Sequence, residues 1–101
     1  MSERREYPRA KGPFEGWWDG SGRQGGRVTD LSVGGCFVES VTLPVVGQVV
    51  IVWLSIGAGQ IQLPGEVMYC ETNHGFAVRF AEVPHAILEI VSEEVQRRLQ
   101  S

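Results

Sequence analysis

The chain is short of the residues that hold metals and disulfides, because its 101 residues include only two cysteines and two histidines. Cys36 and Cys70 lie far apart and form no C-x-x-C pattern, so we expect two reduced, buried thiols rather than a disulfide. No group of histidine, cysteine and carboxylate residues has the spacing of a metal site. The sequence therefore predicts neither a bound metal nor a cofactor.

Long apolar runs are also missing. No segment approaches the roughly 20 apolar residues that a membrane helix requires, and the charged N-terminus does not have the pattern of a secretory signal. With 43% hydrophobic and 21% charged residues, the composition is that of one ordinary globular domain. We expect a cytoplasmic domain that does not insert into a membrane.

A catalytic constellation is missing as well. Ser32 could act as a nucleophile only beside a general base and an oxyanion hole. The two histidines, His74 and His85, lie in a turn and at a helix start that are unrelated to Ser32 in the sequence. The sequence thus predicts a protein that is not an enzyme.

The positive charge is concentrated near the N-terminus. The net charge is −3, which argues against a general binder of nucleic-acid polymers. Six of the nine basic residues nevertheless fall in the first 27 positions: Arg4, Arg5, Arg9, Lys11, Arg23 and Arg27. A local positive potential of this kind favours a small anionic ligand.

Short apolar segments separated by turn-forming residues make up most of the chain. They predict strands at residues 12–19, 27–31, 36–41, 48–54, 61–69 and 76–80. Such spacing is typical of a small barrel or a sandwich. In the first strand, one of Trp17 and Trp18 should face the core and the other should be more exposed.

Three local features of this strand pattern give more detailed predictions. The glycine-rich residues 21–26 indicate a hairpin turn. The near-continuous β-branched run at residues 48–54 indicates a strand buried on much of both faces, with the terminal helix covering one of them. Pro64 and Gly65, inside a strand, indicate a bulge or a sharp bend.

A helix is predicted at residues 84–99. Pro84 suits its first turn, and apolar residues recur at helical spacing along one face: Ile87, Leu88, Val91, Val95 and Leu99. This face should pack on the barrel, although a dimer interface is an alternative.

Two polar segments carry the functional prediction. Residues 1–11 have no hydrophobic period and contain three arginines, so they predict a mobile arm. Asp30 and Ser32 lie two positions apart, on one face of an extended strand, where a carboxylate and a hydroxyl can bind the paired N–H donors of a guanine edge. Gly34 and Gly35 next to them permit a close approach. Arginine binds phosphate or guanine with two parallel hydrogen bonds.

The spacing Arg5-x-x-x-Arg9, followed by Asp30-x-Ser32-x-x-Gly35, resembles the two-part signature of PilZ domains, which are bacterial receptors for the second messenger cyclic di-GMP. Residues 75–80 are similar to the last barrel strand of that family. The resemblance implies a mainly β fold: a six-stranded antiparallel split barrel with one C-terminal helix, occupying residues 12–101 as a single domain after the arm.

The resemblance also implies a function. Cyclic di-GMP would bind outside the barrel and be clamped by the arm, through Arg4, Arg5, Arg9, Asp30, Ser32, Gly34 and Gly35. In the family, an arginine at the position of Arg4 is associated with a stacked pair of ligand molecules. Ordering of the arm on binding would create or hide a surface for a downstream protein partner, whose identity the sequence does not give.

Other interpretations of the same residues are open at this point. The arginines could be a solvated tail, and Asp30 and Ser32 could be a turn or cap pair that satisfies backbone donors. Tyr69 and the more exposed tryptophan could stack on a bound base or merely pack. The whole chain could be a protein-interaction module that binds no ligand, or a small barrel that binds single-stranded nucleic acid.

Overall fold

The computed structural model describes residues 7–57 and 59–100, which form six strands and one helix. The elements, in chain order, are β1 (Ala10–Asp19), β2 (Arg23–Leu31), β3 (Gly35–Glu39), β4 (Val49–Ile56), β5 (Gly59–Glu71), β6 (Gly75–Phe80) and α1 (His85–Leu99). All neighbouring strands are antiparallel, and the sheet closes in the order β1-β2-β3-β6-β5-β4. The predicted six-stranded antiparallel barrel with one terminal helix is confirmed.

Apolar side chains at alternate positions of the strands fill the barrel interior. Leu31, Leu54, Leu63 and Phe76 have no exposed surface, because successive side chains of a strand point to opposite faces. Trp18 is 3% exposed and packs edge-on against Phe76.

Trp17, the neighbour of Trp18, lies outside the barrel. It stacks on Trp53 with ring centroids 4.7 Å apart, and the Arg23 guanidinium lies over it at 4.0 Å. The sequence prediction that one tryptophan is in the core and its neighbour is more exposed is therefore correct.

The prediction that β4 is buried on much of both faces is wrong. Val50, Val52 and Leu54 are buried, whereas Val49, on the other face, is 70% exposed. The helix packs mainly on β1. On the outer face of β4, Ile51 and Trp53 are half-buried, and Trp53 stacks on Trp17.

The helix packs against the barrel next to β1. Val91 and Val95 are buried against the core, which favours the packing interpretation of its apolar face, although Leu99 is 51% exposed. Near its end, Arg98 lies over the Phe14 ring at 4.2 Å and donates a hydrogen bond to the carbonyl oxygen of Lys11. Pro84 is the N-cap. Within the described residues, no helix has the length and apolarity needed to cross a membrane.

The predicted hairpin turn exists but is shorter than residues 21–26: residues 20–22 join β1 to β2, where Asp19 pairs with Arg23 and Gly22 has a φ of +138°, and residues 23–26 are strand. β2 begins at Arg23, and Gly26 pairs with Gly16 across β1 and β2. A Cβ atom on Gly16 would lie 1.9 Å from the Trp53 carbonyl oxygen, and one on Gly26 would lie 2.8 Å from that of Glu39. Gly16 and Gly26 are needed because neighbouring backbones approach closely there, and not because a turn requires them.

No bulge occurs at Pro64 and Gly65. Both residues continue the β4–β5 register, opposite Ile51 and Val50, and the irregularity in β5 lies between Val67 and Tyr69. A Cβ atom on Gly65 would lie 2.6 Å from the Arg79 carbonyl oxygen. Close backbone approach again explains the glycine.

The start of the barrel lies further upstream than the sequence predicts. Ala10 is 1% exposed and begins β1, so Ala10 and Lys11 belong to the barrel and not to the arm predicted at residues 1–11. Of the arm, the structure describes residues 7–9. Arg4 and Arg5 lie outside the described residues.

Candidate functional site

An ion pair joins the arm to the strand motif. Arg9 Nε donates a hydrogen bond of 2.9 Å to Asp30 Oδ1, between residues 21 positions apart in the chain. Lys11, directly opposite Asp30 across β1 and β2, lies 3.3 Å from the other carboxylate oxygen through its Nζ. The Asp30 side chain is 16% exposed and that of Lys11 is 84% exposed. Asp30 is therefore a largely shielded acceptor held between two cations.

The segment from Ser32 to Gly34 forms the turn that connects β2 to β3. The backbone N–H of Ser32 donates to the Gly35 carbonyl oxygen at 2.9 Å, and the N–H of Gly34 donates to Ser32 Oγ at 3.1 Å. The turn interpretation thus holds for Ser32, whose side chain satisfies a backbone donor. It does not hold for Asp30, because that carboxylate pairs with Arg9 and Lys11.

The two motif glycines have different surroundings. A Cβ atom on Gly35 would lie 2.2 Å from the Val78 carbonyl oxygen, so this glycine lets β3 and β6 come together. A Cβ atom on Gly34 would lie 3.0 Å from Cδ2 of Tyr7. Gly34 therefore faces the arm, whereas at Gly35 the close approach that the missing side chain permits is that of another backbone.

A pocket of about 370 Å³ lies beside this turn. It is bounded by the arm, by the turn and by the outer faces of β5 and β6. Its lining residues include Tyr7, Arg9, Ser32, Gly34, Gly35, Met68, Tyr69, Ala77 and Arg79. The structure thus brings four of the predicted site residues to one pocket. Asp30 does not line the pocket itself, but it bonds to Arg9, which does.

One basic residue, Arg79, and one aromatic residue, Tyr69, line the side of the pocket formed by β5 and β6. Arg79, opposite Gly35 across β3 and β6, pairs with Glu66 at 3.2 Å and is 63% exposed. Tyr69 is 52% exposed. Tyr69 was a candidate from the sequence, whereas Arg79 and Met68 were not, since only the pairing of β3 with β6, and of β6 with β5, places them beside the motif.

Cys36 borders the pocket, but its thiol is not reactive. Burial raises the pKa of the Cys36 thiol; the Asp30 carboxylate also raises it, and Arg9 opposes the effect. Cys36 therefore stays protonated, and a protonated thiol is a poor nucleophile. Both cysteines are free, but the prediction that both are buried holds only for Cys36, because Cys70 is partly exposed. Among the described residues, no group of three or more His, Cys, Asp and Glu side chains could hold a metal ion.

A family model described as the PilZ domain matches residues 3–96. The chain belongs to the PilZ domain family. The match extends over both arginine and aspartate motifs and most of the helix, so the resemblance read from the motifs is confirmed. No curated protein sequence matches this PilZ chain.

Solved structures share the fold of this PilZ domain. The structure of MotI/DgrA, an inhibitor of motility from Bacillus subtilis, has a TM-score of 0.83 at 14% identity and covers 98% of this chain and 53% of that one. The PilZ domain of YcgR from Escherichia coli with c-di-GMP has a TM-score of 0.78 at 16% identity, with coverage of 97% and 93%.

A second YcgR structure, a complex with c-di-GMP from Escherichia coli, has a TM-score of 0.70 at 18% identity and covers 97% of this chain and 46% of that one. This PilZ chain therefore spans about half the length of MotI/DgrA and of that YcgR chain. At such low identities, the similarity shows a common fold.

Proposed function

We propose that this PilZ domain is a receptor for cyclic di-GMP with no catalytic activity. The observation that carries the proposal is the Arg9–Asp30 ion pair beside the pocket, because it joins the two halves of the motif. The pocket adds cations for phosphate and aromatic rings for bases, which suits a guanine dinucleotide. Two similar structures contain c-di-GMP.

Each motif residue has a role in the proposal. Asp30 accepts the guanine N1–H and N2–H2 donors, and the Ser32 hydroxyl supports the same edge. A carboxylate offers about four acceptor sites, so Asp30 can serve a base while it keeps one of its cations. Arg9 bonds Asp30 through Nε alone of its five donors, which leaves its remaining N–H groups to turn towards a phosphate or the O6/N7 edge of guanine.

The remaining arginines complete the proposed clamp. Arg5 binds a phosphate or base from the other end of the arm, and Arg4 favours a second, stacked ligand molecule. Gly34 leaves room for the arm over the turn, and Gly35 sets the distance between β3 and β6 at the floor of the site. The assignments of Arg4 and Arg5 rest on the motif, since both lie outside the described residues.

Ligand binding would act by fixing the arm over the bound dinucleotide and so changing the surface offered to a protein partner. A charge-assisted hydrogen bond contributes roughly 1.5–3 kcal/mol, whereas fixing a residue costs roughly 1–2 kcal/mol. No single contact can therefore hold the arm, and several must form together. Because the contacts form together, the arm would be fixed only when the ligand is bound, and a protein partner could detect that change. The partner is not identified, and the cytoplasmic location stays a prediction.

Isothermal titration calorimetry of the folded protein tests the proposal. We expect binding heat with cyclic di-GMP and much weaker heat with GTP or the linear dinucleotide, because these lack the closed ring of two riboses and two phosphodiesters that holds the two guanine bases in place. Lack of heat with cyclic di-GMP at high concentration, for protein that is folded by circular dichroism, would overturn the proposal.

The alternatives from the sequence are outcomes of the same experiment. A barrel that binds single-stranded nucleic acid would bind longer oligonucleotides more tightly and lose affinity steeply with salt. A protein-interaction module would bind none of these ligands.

A further inference from the structure

Tyr7, which occupies an unspecified position of Arg5-x-x-x-Arg9, lies beside the motif turn. Its ring edge packs on the motif turn, since a Cβ atom built on Gly34 would lie 3.0 Å from Tyr7 Cδ2 and 3.1 Å from Cε2. Tyr7 as a whole residue is nevertheless 46% exposed. It lines the pocket that also holds Arg9 and Ser32. One side of the ring is therefore seated on the protein, and much of the rest is open to whatever enters the pocket.

The pocket has the composition of a site for planar, anionic ligands. Two phenol rings, Tyr7 and Tyr69, and two guanidinium groups, Arg9 and Arg79, line it. Ala77, which pairs with Tyr69 across β5 and β6, adds a small side chain. Aromatic rings stack on bases of any identity, and guanidinium groups bind phosphates. Of the two rings, Tyr7 is the one in the same segment as an arginine of the motif.

The local backbone links Tyr7 to Arg9. Pro8, between them, has a fixed φ and keeps Tyr7 out of helical geometry, so the ring and the guanidinium have a restricted relative placement. Arg9 is fixed to Asp30, and Tyr7 is seated on Gly34. A ligand that engages Arg9 is therefore presented to the Tyr7 ring at the same time.

We propose that Tyr7 is a ligand-binding residue of this site, whose ring, seated on Gly34, stacks on a guanine base of the dinucleotide. The inference rests on the proposed function and extends it to a residue between the two motif arginines. It also gives Gly34 a reason for lacking a side chain: a Cβ atom there would push the Tyr7 ring away from its seat.

Calorimetric titration with cyclic di-GMP tests this role. Tyr7→Leu keeps the apolar bulk and loses the aromatic face, so we expect about 5- to 100-fold weaker binding, the range typical of a lost base stack. Tyr7→Phe keeps the ring and should stay within about threefold of the unmodified protein. Because Tyr7 is half exposed, neither change should alter the melting temperature by more than about 2 °C.

Gly34→Ala supplies a second, independent variant. It should weaken binding in the unmodified protein but add little to Tyr7→Leu, because both changes remove one interaction and contacting residues are not additive. Gly25→Ala is the matched control, since a Cβ atom there meets nothing within 4 Å. Additive losses in the double variant would contradict the seat of Tyr7 on Gly34.

Tyr7→Trp separates stacking from mere support of the arm. A tryptophan stacked on guanine is quenched, whereas the three native tryptophans lie in β1 and β4, away from the pocket residues of β5, β6 and the turn. We expect ligand-dependent quenching of Tyr7→Trp beyond that of the unmodified protein.

Two different failures can be told apart. Equal affinity of Tyr7→Leu and the unmodified protein, or no added quenching in Tyr7→Trp, would overturn the role of Tyr7 and leave the receptor function intact. No binding by the unmodified protein would overturn both.

Discussion

Arg9 Nε lies 2.9 Å from Asp30 Oδ1, and this contact connects an arm residue to a strand residue 21 positions later. The Asp30 side chain is 16% exposed and that of Arg9 is 36% exposed, so water screens the pair less than it screens a fully exposed one. The contact fixes where the arm enters the pocket. In the proposed complex, the two side chains of this pair would bind neighbouring parts of the ligand: Asp30 the guanine N–H groups and Arg9 a phosphate.

The first prediction concerns this pair. Arg9→Ala and Asp30→Ala should each weaken cyclic di-GMP binding by about tenfold to a hundredfold, because each removes charge-assisted hydrogen bonds to the ligand. Calorimetry measures the loss. The control is Arg27→Ala, which removes an arginine that is 63% exposed and pairs with Glu39 at 4.0 Å. Unchanged affinity in both Arg9→Ala and Asp30→Ala would show that the site lies elsewhere.

The second prediction concerns Lys11, the other cation on Asp30. Its side chain is 84% exposed, and exposed ion pairs contribute about 0.2–1 kcal/mol. Lys11→Met should therefore lower the free energy of unfolding by less than about 1 kcal/mol and change ligand affinity by less than about fivefold. Urea unfolding and calorimetry measure the two effects. A loss of affinity as large as that of Arg9→Ala would mean that net positive charge, and not the motif geometry, governs binding.

The third prediction separates the roles of the glycines. Gly35→Ala should destabilise the barrel by about 1–3 kcal/mol, because its Cβ atom would collide with the Val78 backbone and force β3 away from β6. Thermal or urea unfolding measures this. Gly25→Ala, in a strand but with open space at its Cβ position, should be close to neutral. Similar melting temperatures for the two variants would contradict the packing role of Gly35.

The fourth prediction is a pH dependence from Cys36. Its pKa is raised in the folded chain, chiefly by burial, whereas a cysteine in an unfolded chain ionises near pH 8.5. Above about pH 8.5 the unfolded chain has lost a proton that the folded chain keeps, so the free energy of unfolding falls as the pH rises. Below that pH both states are protonated, and Cys36 adds no slope.

Comparison with Cys36→Ala isolates this effect. Between about pH 8 and pH 10 the melting temperature of the unmodified protein should fall more steeply than that of the variant. A thiol reagent at neutral pH should modify the partly exposed Cys70 well before the buried Cys36. Parallel pH profiles of the two proteins would show that the Cys36 thiol does not resist ionisation in the fold.

Much of the fold follows from local patterns. The alternation that buries Phe14 and Trp18, and the apolar face of the terminal helix, are short-range features, and these were predicted correctly. Two of the predictions failed in part because glycine and proline each have more than one structural role. Gly26 and Gly65 lack side chains because another backbone lies against them, and the sequence does not distinguish this requirement from that of a turn or a bulge.

The sequence by itself determined the six strands, the helix and the pair of motifs, since hydrophobic period and turn chemistry act over a few neighbouring residues. Only the tertiary structure decided that Arg9 reaches Asp30, that Tyr7 rests on Gly34, and that Arg79 lies beside Gly35. These contacts depend on which strands pair and in which register, and barrel closure sets that register through contacts between residues distant in the chain.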